Sequence, residues 1–374
     1  MSDPIQEAQR HGQAIWYDNI RRGLLSSGDL QRLIDQGVTG VTSNPTIFEK
    51  AVVGSIDYDD ALSGLGGTDT SVQEAYESLV LQDIRDTADL LHPVYERTGG
   101  ADGYVSLEVS PGLAHDTEGT VAEAKRLFAA LGHRNVMIKV PATPEGIPAV
   151  RRLIGKGINI NITLIFSLDA YEQVREAYIA GLEDFERAGG DLSGVASVAS
   201  FFVSRVDTAV DGLLEERIRQ SGNDLSALLG RAANANAKLA YQAFKSIFGS
   251  ERFAALRAKG ARVQRPLWAS TGTKNPAYSD VLYIEPLIGP DTVNTMPPAT
   301  LTAFQQHGTV AATIEQGVVE ARQTIEDLEA VGIGMEQVTA KLLADGVRSF
   351  ADSFDKLLAN IDEKRAKLLS PKMA

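Results

Sequence analysis

The chain has 374 residues, is 44% hydrophobic and 23% charged, and carries a formal net charge of -13, the balance of a globular protein with ample chain for a core. No stretch gathers enough Lys and Arg for a nucleic-acid surface, and no apolar run approaches the roughly 18 residues of a membrane span. The absence of cysteine excludes disulfides, thiolate catalysis and Cys-ligated metals, and the polar opening MSDPIQEAQRHG has no signal-peptide character, so a cytoplasmic protein is expected.

Ala14-Ile-Trp-Tyr-Asp18 reads as a first strand closing on an acid. Ser26 or Ser27 before Asp29 offers a cap for a helix to about Asp35, stopped by Gly37. Val38 to Thr42 reads as a second strand, followed by Ser43-Asn44-Pro45 and a largely helical stretch from 46 to 95. That stretch breaks at Ser63-Gly-Leu-Gly-Gly67, a loop rather than a phosphate cradle because no strand precedes it. Tyr104 to Val109 alternates cleanly, with Tyr104, Ser106 and Glu108 on one face.

After a helix over 117–131, Asn135-Val-Met-Ile-Lys-Val-Pro141 reads as a short buried strand with Met137 and Lys139 sharing a face. A lone lysine in an apolar strand is costly unless it snorkels to water or is used, since desolvation penalises the ammonium and exposes a nucleophilic amine. A helix from Pro144 to Gly155 leads to Ile158–Leu164, where Asn159, Asn161 and Thr163 alternate with four aliphatic residues. In a strand–helix repeat both sheet faces are covered, so this polar face is expected to line the centre of a barrel. A helix over 168–187 precedes the small-residue strand Val195–Ser200, which runs on through Phe201 to Arg205. Helices follow at about 205–220 and 224–248. Pro266–Ser270 is a seventh predicted strand, followed by Thr271-Gly-Thr-Lys274, and Val281–Glu285 is the eighth. The Gly- and Pro-rich connection Pro286–Pro297 reads as a rim or lid. From Leu301 the pattern is helical to about Leu369, interrupted near Gly332-Ile-Gly334.

Eight strand-like runs alternating with helices predict a parallel α/β fold, and eight suits a (β/α)8 TIM barrel better than an open sheet. No linker divides residues 1–374, so a single domain is expected, its barrel at about 14–306 and a C-terminal helical extension at about 307–370. Functional groups in such barrels stand at the C-terminal strand ends, here Asp18, Asn44, Glu108, Lys139, Asn161 with Thr163, Ser200 and Ser270. Singly, each has a plain structural account: Asp18 or Asn44 as a helix cap, Glu108 as a solvated rim acid. Together they bring an amine, two carboxylates, amides and hydroxyls to one cavity, a set suited to carbonyl chemistry through a Schiff base. The histidines at 11, 92, 115, 133 and 307 have no ligand spacing, and neither a GxGxxG fingerprint nor a P-loop is present. Neither a metal nor another cofactor is therefore expected.

Four runs carry a family resemblance: Gly40-Val-Thr-Ser-Asn-Pro-Thr-Ile-Phe48, Val136-Met-Ile-Lys-Val-Pro-Ala-Thr143, Asn159-Ile-Asn-Ile-Thr-Leu-Ile-Phe166 and Ser200-Phe-Phe-Val-Ser-Arg205. They resemble the signatures of transaldolases, in the family's order, from Ile15 to about Met296. The resemblance implies transfer of a dihydroxyacetone unit between phosphorylated ketoses and aldoses in the non-oxidative pentose phosphate pathway. It implies Lys139 as the Schiff-base lysine and Asp18 as the acid that moves the hydroxyl proton in carbon–carbon cleavage. Glu108 and Thr163 would hold the catalytic water, Asn44 and Asn161 would contact the bound triose, and Ser200 would line the site. Arg205 and Ser270 match the phosphate clamp. The chain departs from the pattern after Ser270, where Thr-Gly-Thr-Lys-Asn replaces a short Ser-x-Arg and Lys274 takes the arginine's place without its planar fork. The resemblance leaves monomer or homodimer open. The nearest rival is a fructose 6-phosphate aldolase, which must protonate the enamine left on the lysine. The strand ends offer no ready acid for that step at neutral pH unless a carboxyl pKa is raised.

Overall fold

The computed structural model of the chain describes residues 3–65 and 69–369. After α1 (Pro4–Arg10), β1 (Gln13–Tyr17) leads through α2 (Arg22–Ser26) and α3 (Asp29–Asp35) to β2 (Gly40–Val41). Then α4 (Pro45–Val53), α5 (Asp59–Gly64) and α6 (Val72–Arg97) precede β3 (Tyr104–Glu108). Next in alternation come α7 (Thr117–Leu131), β4 (Val136–Pro141), α8 (Gly146–Ile154), β5 (Ile160–Ile165) and α9 (Leu168–Arg187). Beyond β6 (Ser197–Phe202) lie α10 (Ser204–Ser221), α11 (Ala232–Phe248) and α12 (Glu251–Arg257), then β7 (Arg265–Ala269) and β8 (Thr292–Met296). Finally α13 (Pro298–His307), α14 (Val318–Ala330) and α15 (Met335–Leu369) follow the last strand.

The eight strands pair in parallel, in sequence order, and β8 closes on β1, which makes a (β/α)8 barrel with additional C-terminal helices. Local chemistry starts the helices that lead away from the strand ends. Asn44 accepts from the Ile47 N–H and Pro45 opens α4, while Ser71 and Glu74 form a reciprocal capping box on α6. The register aligns Trp16 with Gly40, Glu108 with Lys139, and Lys139 with Asn161. Gly40 is a matter of space: a Cβ there would stand 2.4 Å from the Trp16 ring, so only glycine lets that indole lie against β2. No helix among the described residues is long and apolar enough to cross a membrane.

The predicted eighth strand is corrected. Val281–Glu285 forms turns that run into a short 3-10 segment at Glu285–Leu287, and no α-helix separates β7 from β8. Its apolar side chains are buried as a strand's would be, which is why the pattern misleads. Its backbone is satisfied otherwise: the Ile284 and Glu285 N–H groups donate to the Val281 carbonyl, and Asn234 and Asn294 donate to the carbonyls of Leu282 and Tyr283. The true β8 lies inside the predicted lid, Pro286–Pro297, and pairs with β1 from Gln13↔Thr292 to Tyr17↔Met296. Its sequence, Thr-Val-Asn-Thr-Met, is polar and follows Gly and Pro, so it lacks the apolar signature of a barrel strand. The Gly-rich break at 63–67 is only partly visible, because Gly66 and Gly67 lie outside the described residues.

What covers the C-terminal face of the barrel is α15, which packs on α4, α5, α6 and α10. Thr46 donates to Ser353 (2.9 Å), Lys364 pairs with Asp59 (2.7 Å) and donates to the Val52 carbonyl, and Arg365 donates to the carbonyls of Leu65 and Thr70.

Candidate active site

Lys139 stands on β4, 5% exposed, beside its register partner Glu108 on β3. Nζ lies 3.6 Å from Glu108 Oε2 and donates to the Ser43 carbonyl at 3.0 Å. Ser43 is held in turn by its own hydroxyl, which donates to the Ser106 carbonyl on β3. The amine is thus positioned by two strands and by the turn that leads into α4.

Asp18 follows β1 and accepts from Thr42 Oγ1 at 2.7 Å, while Thr42 shares a 2.6 Å contact with Thr295 on β8. Asn161 on β5 sits one layer deeper: it donates to Ser106 Oγ at 3.0 Å and accepts from Ser200 Oγ at 2.7 Å. Thr163 Oγ1 and Glu108 Oε2 are both buried without a hydrogen-bond partner in the protein. Glu108 Oε2 still faces the Lys139 ammonium at 3.6 Å, whereas Thr163 Oγ1, on the wall of the cavity, has no protein partner, and a buried hydroxyl left so is costly unless a small polar molecule meets it.

A cavity of about 160 Å³ opens above these residues. Eight of the ten residues picked from the sequence line it: Asp18, Asn44, Lys139, Thr163, Ser200, Arg205, Ser270 and Lys274. The other two reach it indirectly. Asn161 lies beneath Ser200, and Glu108 touches Lys139 from the flank while also bordering a smaller cleft formed with residues of α4, α6 and α7. Sequence reasoning missed Thr42, Phe202, Ala269, Gly272, Thr295, Pro297 and Phe350. Thr42 and Phe202 could have been found by alternation, each standing two residues from a chosen one. Thr295 was hidden by the misassigned eighth strand. Phe350 comes from α15 and has no local signal; its ring centroid lies 5.8 Å from Lys139 Nζ.

Burial dominates the electrostatics. It pushes the Glu108 carboxyl above the usual range against the pull of Lys139, and raises Asp18 against the Thr42 hydrogen bond and the charges of Lys139 and Arg205. Both carboxyls thus shift in the direction that the sequence reading set as its condition for an acid at the strand ends. Arg205 is lowered by burial, and Lys274 by burial and then by the like charge of Arg205. Neither cation forms an ion pair within 4.0 Å among the described residues. Two partly buried cations lining one cavity, in a chain of net charge -13, suit an anionic ligand. Ser270, held at φ 55°, brings its hydroxyl 3.1 Å from that of Ser204 at the same end. No three His, Cys, Asp or Glu side chains gather as a metal-ligand set among the described residues.

Similarity to known proteins extends over nearly the whole chain. The model of the family described as "Transaldolase/Fructose-6-phosphate aldolase" matches residues 15–361. The chain is 46% identical to the "Transaldolase" of Trichodesmium erythraeum over 98% of its own length and 99% of that protein's. It is 48% identical to the "Transaldolase" of Thermobifida fusca, again over 98% and 99%, and 47% identical to "Transaldolase 2" of Streptomyces coelicolor over 99% of both.

Proposed function

We infer the reaction from one premise: the chain belongs to the transaldolase/fructose-6-phosphate aldolase family. It is a transaldolase, a transferase that moves a dihydroxyacetone unit from sedoheptulose 7-phosphate or fructose 6-phosphate to erythrose 4-phosphate or glyceraldehyde 3-phosphate. The reaction runs through a lysine Schiff base and belongs to the non-oxidative pentose phosphate pathway. Phosphorylated ketoses and aldoses are its substrates, and the cytoplasm is the compartment this reading assigns.

The observation that carries the assignment of roles is the surroundings of Lys139: a buried amine 3.6 Å from a carboxyl of raised proton affinity, on a cavity that Arg205 and Lys274 also line. In this reading the Lys139 amine attacks the ketose carbonyl carbon. Glu108 gives a proton to the hydroxyl of the resulting carbinolamine, water leaves, and an imine remains. The leaving water would rest between Glu108 Oε2 and Thr163 Oγ1, the two unpartnered oxygens. Asp18 then removes the proton from the hydroxyl beyond the scissile bond, a step that its raised pKa favours by making it a stronger base. The carbon–carbon bond breaks, the aldose leaves, and its electron pair stays as an enamine on Lys139. An acceptor aldehyde enters, the enamine carbon attacks it, and the steps run backwards to release the new ketose. Arg205, Ser270 and Lys274 hold the phosphate, Asn44 and Asn161 orient the triose, and Ser200 fixes Asn161 through its 2.7 Å bond.

A coupled assay tests the reading. Fructose 6-phosphate with erythrose 4-phosphate should give steady formation of sedoheptulose 7-phosphate. Fructose 6-phosphate alone should give a burst of glyceraldehyde 3-phosphate of at most one equivalent, then slow release of dihydroxyacetone. Steady turnover without acceptor at a comparable rate would make the protein an aldolase, and no turnover in either assay would make it a binding protein.

A further inference from the structure

The two cations that line the cavity are held in unequal ways. Arg205 stands in the first turn of α10, where the helix fixes its backbone. Lys274 stands in the connection from β7 to β8, whose residues 270–284 form neither helix nor strand. A lysine is a point charge on a flexible stem and lacks the planar fork with which an arginine meets a phosphate. A loose backbone beneath it would add to the ordering cost of binding, so a lysine in this place needs its segment held.

One face of α10 does the holding. Ser204, Asp207 and Asp211 lie three and four residues apart, so the three positions share that face. At the start of the connection the Ser204 N–H donates to the Ser270 carbonyl at 3.0 Å, and towards its end Tyr283 donates to Asp207 at 3.0 Å. Between these ties lies Asp211, 8% exposed, with both carboxylate oxygens in use. Its Oδ2 accepts from the Tyr278 hydroxyl at 2.8 Å, and its Oδ1 accepts from the Gly230 N–H at 2.9 Å. Gly230 also makes room for the tyrosine: it is held at φ 68°, and a Cβ there would stand 2.9 Å from Tyr278 Cζ.

Tyr278 belongs to the turn that carries the lysine. Its N–H donates to the Asn275 carbonyl at 3.1 Å, and the Ala277 N–H donates to Asn275 Oδ1 at 3.0 Å. Thr273 Oγ1 closes the base of the turn on the Ser279 carbonyl at 2.8 Å. Lys274 thus lies inside a bonded loop, residues 273–279, whose side-chain anchor on α10 is Tyr278.

We propose that Asp211 and Tyr278 are a positioning pair: their hydrogen bond docks the 273–279 loop on α10 and so sets Lys274 beside Arg205 as the second cation of the phosphate site. The inference rests on the phosphate role read for Lys274 above. Neither Asp211 nor Tyr278 lines the cavity, so each acts through Lys274 alone. One helix then supplies both charges, the first directly through Arg205 and the second through a tyrosine tie.

The test is a double-mutant cycle on the full chain. Two constants are read: KM for fructose 6-phosphate with erythrose 4-phosphate as acceptor, and the constant for competitive inhibition by inorganic phosphate. Lys274→Met should raise both by about tenfold. Tyr278→Phe keeps the ring against Gly230 and removes only the hydroxyl; it should raise both by about three- to fivefold, with kcat little changed. In the double variant the loss should be that of Lys274→Met alone, because no lysine is left to place. Tyr283→Phe, which cuts the other tyrosine tie and lies outside the 273–279 loop, should leave both constants within about twofold of wild type. Unchanged constants in Tyr278→Phe would overturn the proposal. So would losses that multiply in the double variant, since general loosening acts whether or not the lysine is present. An equal rise in Tyr283→Phe would also overturn it, by assigning the effect to the whole connection. Unchanged constants in Lys274→Met mark a different failure: they would remove the lysine from the phosphate site, and the proposal with it, while leaving the chemistry at Lys139 untouched.

Discussion

Two buried ion pairs, one at each end of the barrel, differ in how completely each is satisfied. At the N-terminal end, Arg265 meets Asp102 at 3.3 Å, and the same Asp102 oxygen accepts from Trp16 Nε1 at 2.8 Å and from the Gly103 N–H at 3.2 Å. The guanidinium also lies 5.9 Å from the Trp16 ring centroid, so charge, indole and backbone close on one another. At the C-terminal end, Lys139 and Glu108 stand 3.6 Å apart, too far for a hydrogen bond, the Glu108 Oε2 of that pair accepts none from elsewhere, and a buried hydroxyl, that of Thr163, has no partner. The first pair has its partners within the protein. The second leaves bonding capacity for something that is not protein, and in a low-dielectric site such capacity is available to substrate.

The largest effect separates the two pairs by activity. Lys139→Met should abolish transfer, by about 10⁴-fold or more, since in the proposed scheme it removes the nucleophile on which every later step depends. It should cost little stability, within about 1 kcal/mol, because the Glu108 carboxyl left behind is already pushed towards its neutral form by burial. Steady-state rates and urea melts on the same preparation check both halves. Residual transfer within a hundredfold of wild type would move the imine to another lysine.

Arg265→Met should do the reverse. Its removal leaves Asp102 without its cation, and the expected loss is about 2 kcal/mol, below the 3–5 kcal/mol of a fully enclosed pair because the arginine keeps 17% side-chain exposure. The turnover number of the enzyme that remains folded should stay within about twofold of wild type, as expected for a site at the other end of the barrel. A urea midpoint that does not move, or a large fall in turnover, would break the contrast between a pair that holds the fold and one that does chemistry.

The same contrast explains what could be read from the sequence. Lys139, Glu108, Asn161 and Thr163 were legible because strand alternation and the order of strands suffice to put polar residues on an inner face, and the apolar runs of β3 to β5 are unmistakable. The eighth strand was not, because β8 carries Thr292, Asn294 and Thr295 where a buried parallel strand is expected to be aliphatic. Those side chains find partners the local pattern does not display: Thr295 meets Thr42, Thr292 accepts from Gln13 on β1, and Asn294 donates to the Tyr283 carbonyl. Conversely, Val281–Glu285 looked like a strand because it is buried against other elements. Phe350 was illegible for a different reason. Its helix reads as an ordinary amphipathic one, and only the packing of α15 on α4 brings it to a lysine more than 200 residues away in sequence.

Another buried acid, Asp207, shows what happens without a cation in contact. Asp207 on α10 is 1% exposed, and no Lys or Arg lies within 4.0 Å of it among the described residues. Its carboxyl accepts from the Ala233 N–H at 2.7 Å, at the start of α11, and from the Tyr283 hydroxyl at 3.0 Å, in the misread segment before β8. Two influences oppose each other. The donors favour the charged form, while burial, joined by the nearby Asp211, favours the neutral one; burial is the stronger and pushes the carboxyl up to about 6. The sign follows from proton binding. Between the ordinary value of 3.8 and about 6 the native state binds more protons than the unfolded state, so the contribution of Asp207 to stability is fully present below that window and is lost as pH rises through it. Asp207→Asn keeps an acceptor for Ala233 but cannot ionise. Its stability relative to wild type should therefore rise with pH, by about 2–3 kcal/mol between about pH 4 and pH 7, and level off above. Urea melts of both proteins across that range measure the difference directly and cancel the titration of every other group. A variant that instead loses ground as pH rises would mean that Ala233 and Tyr283 hold the carboxylate charged, and that donors can replace a cation at a buried acid as fully as Arg265 serves Asp102.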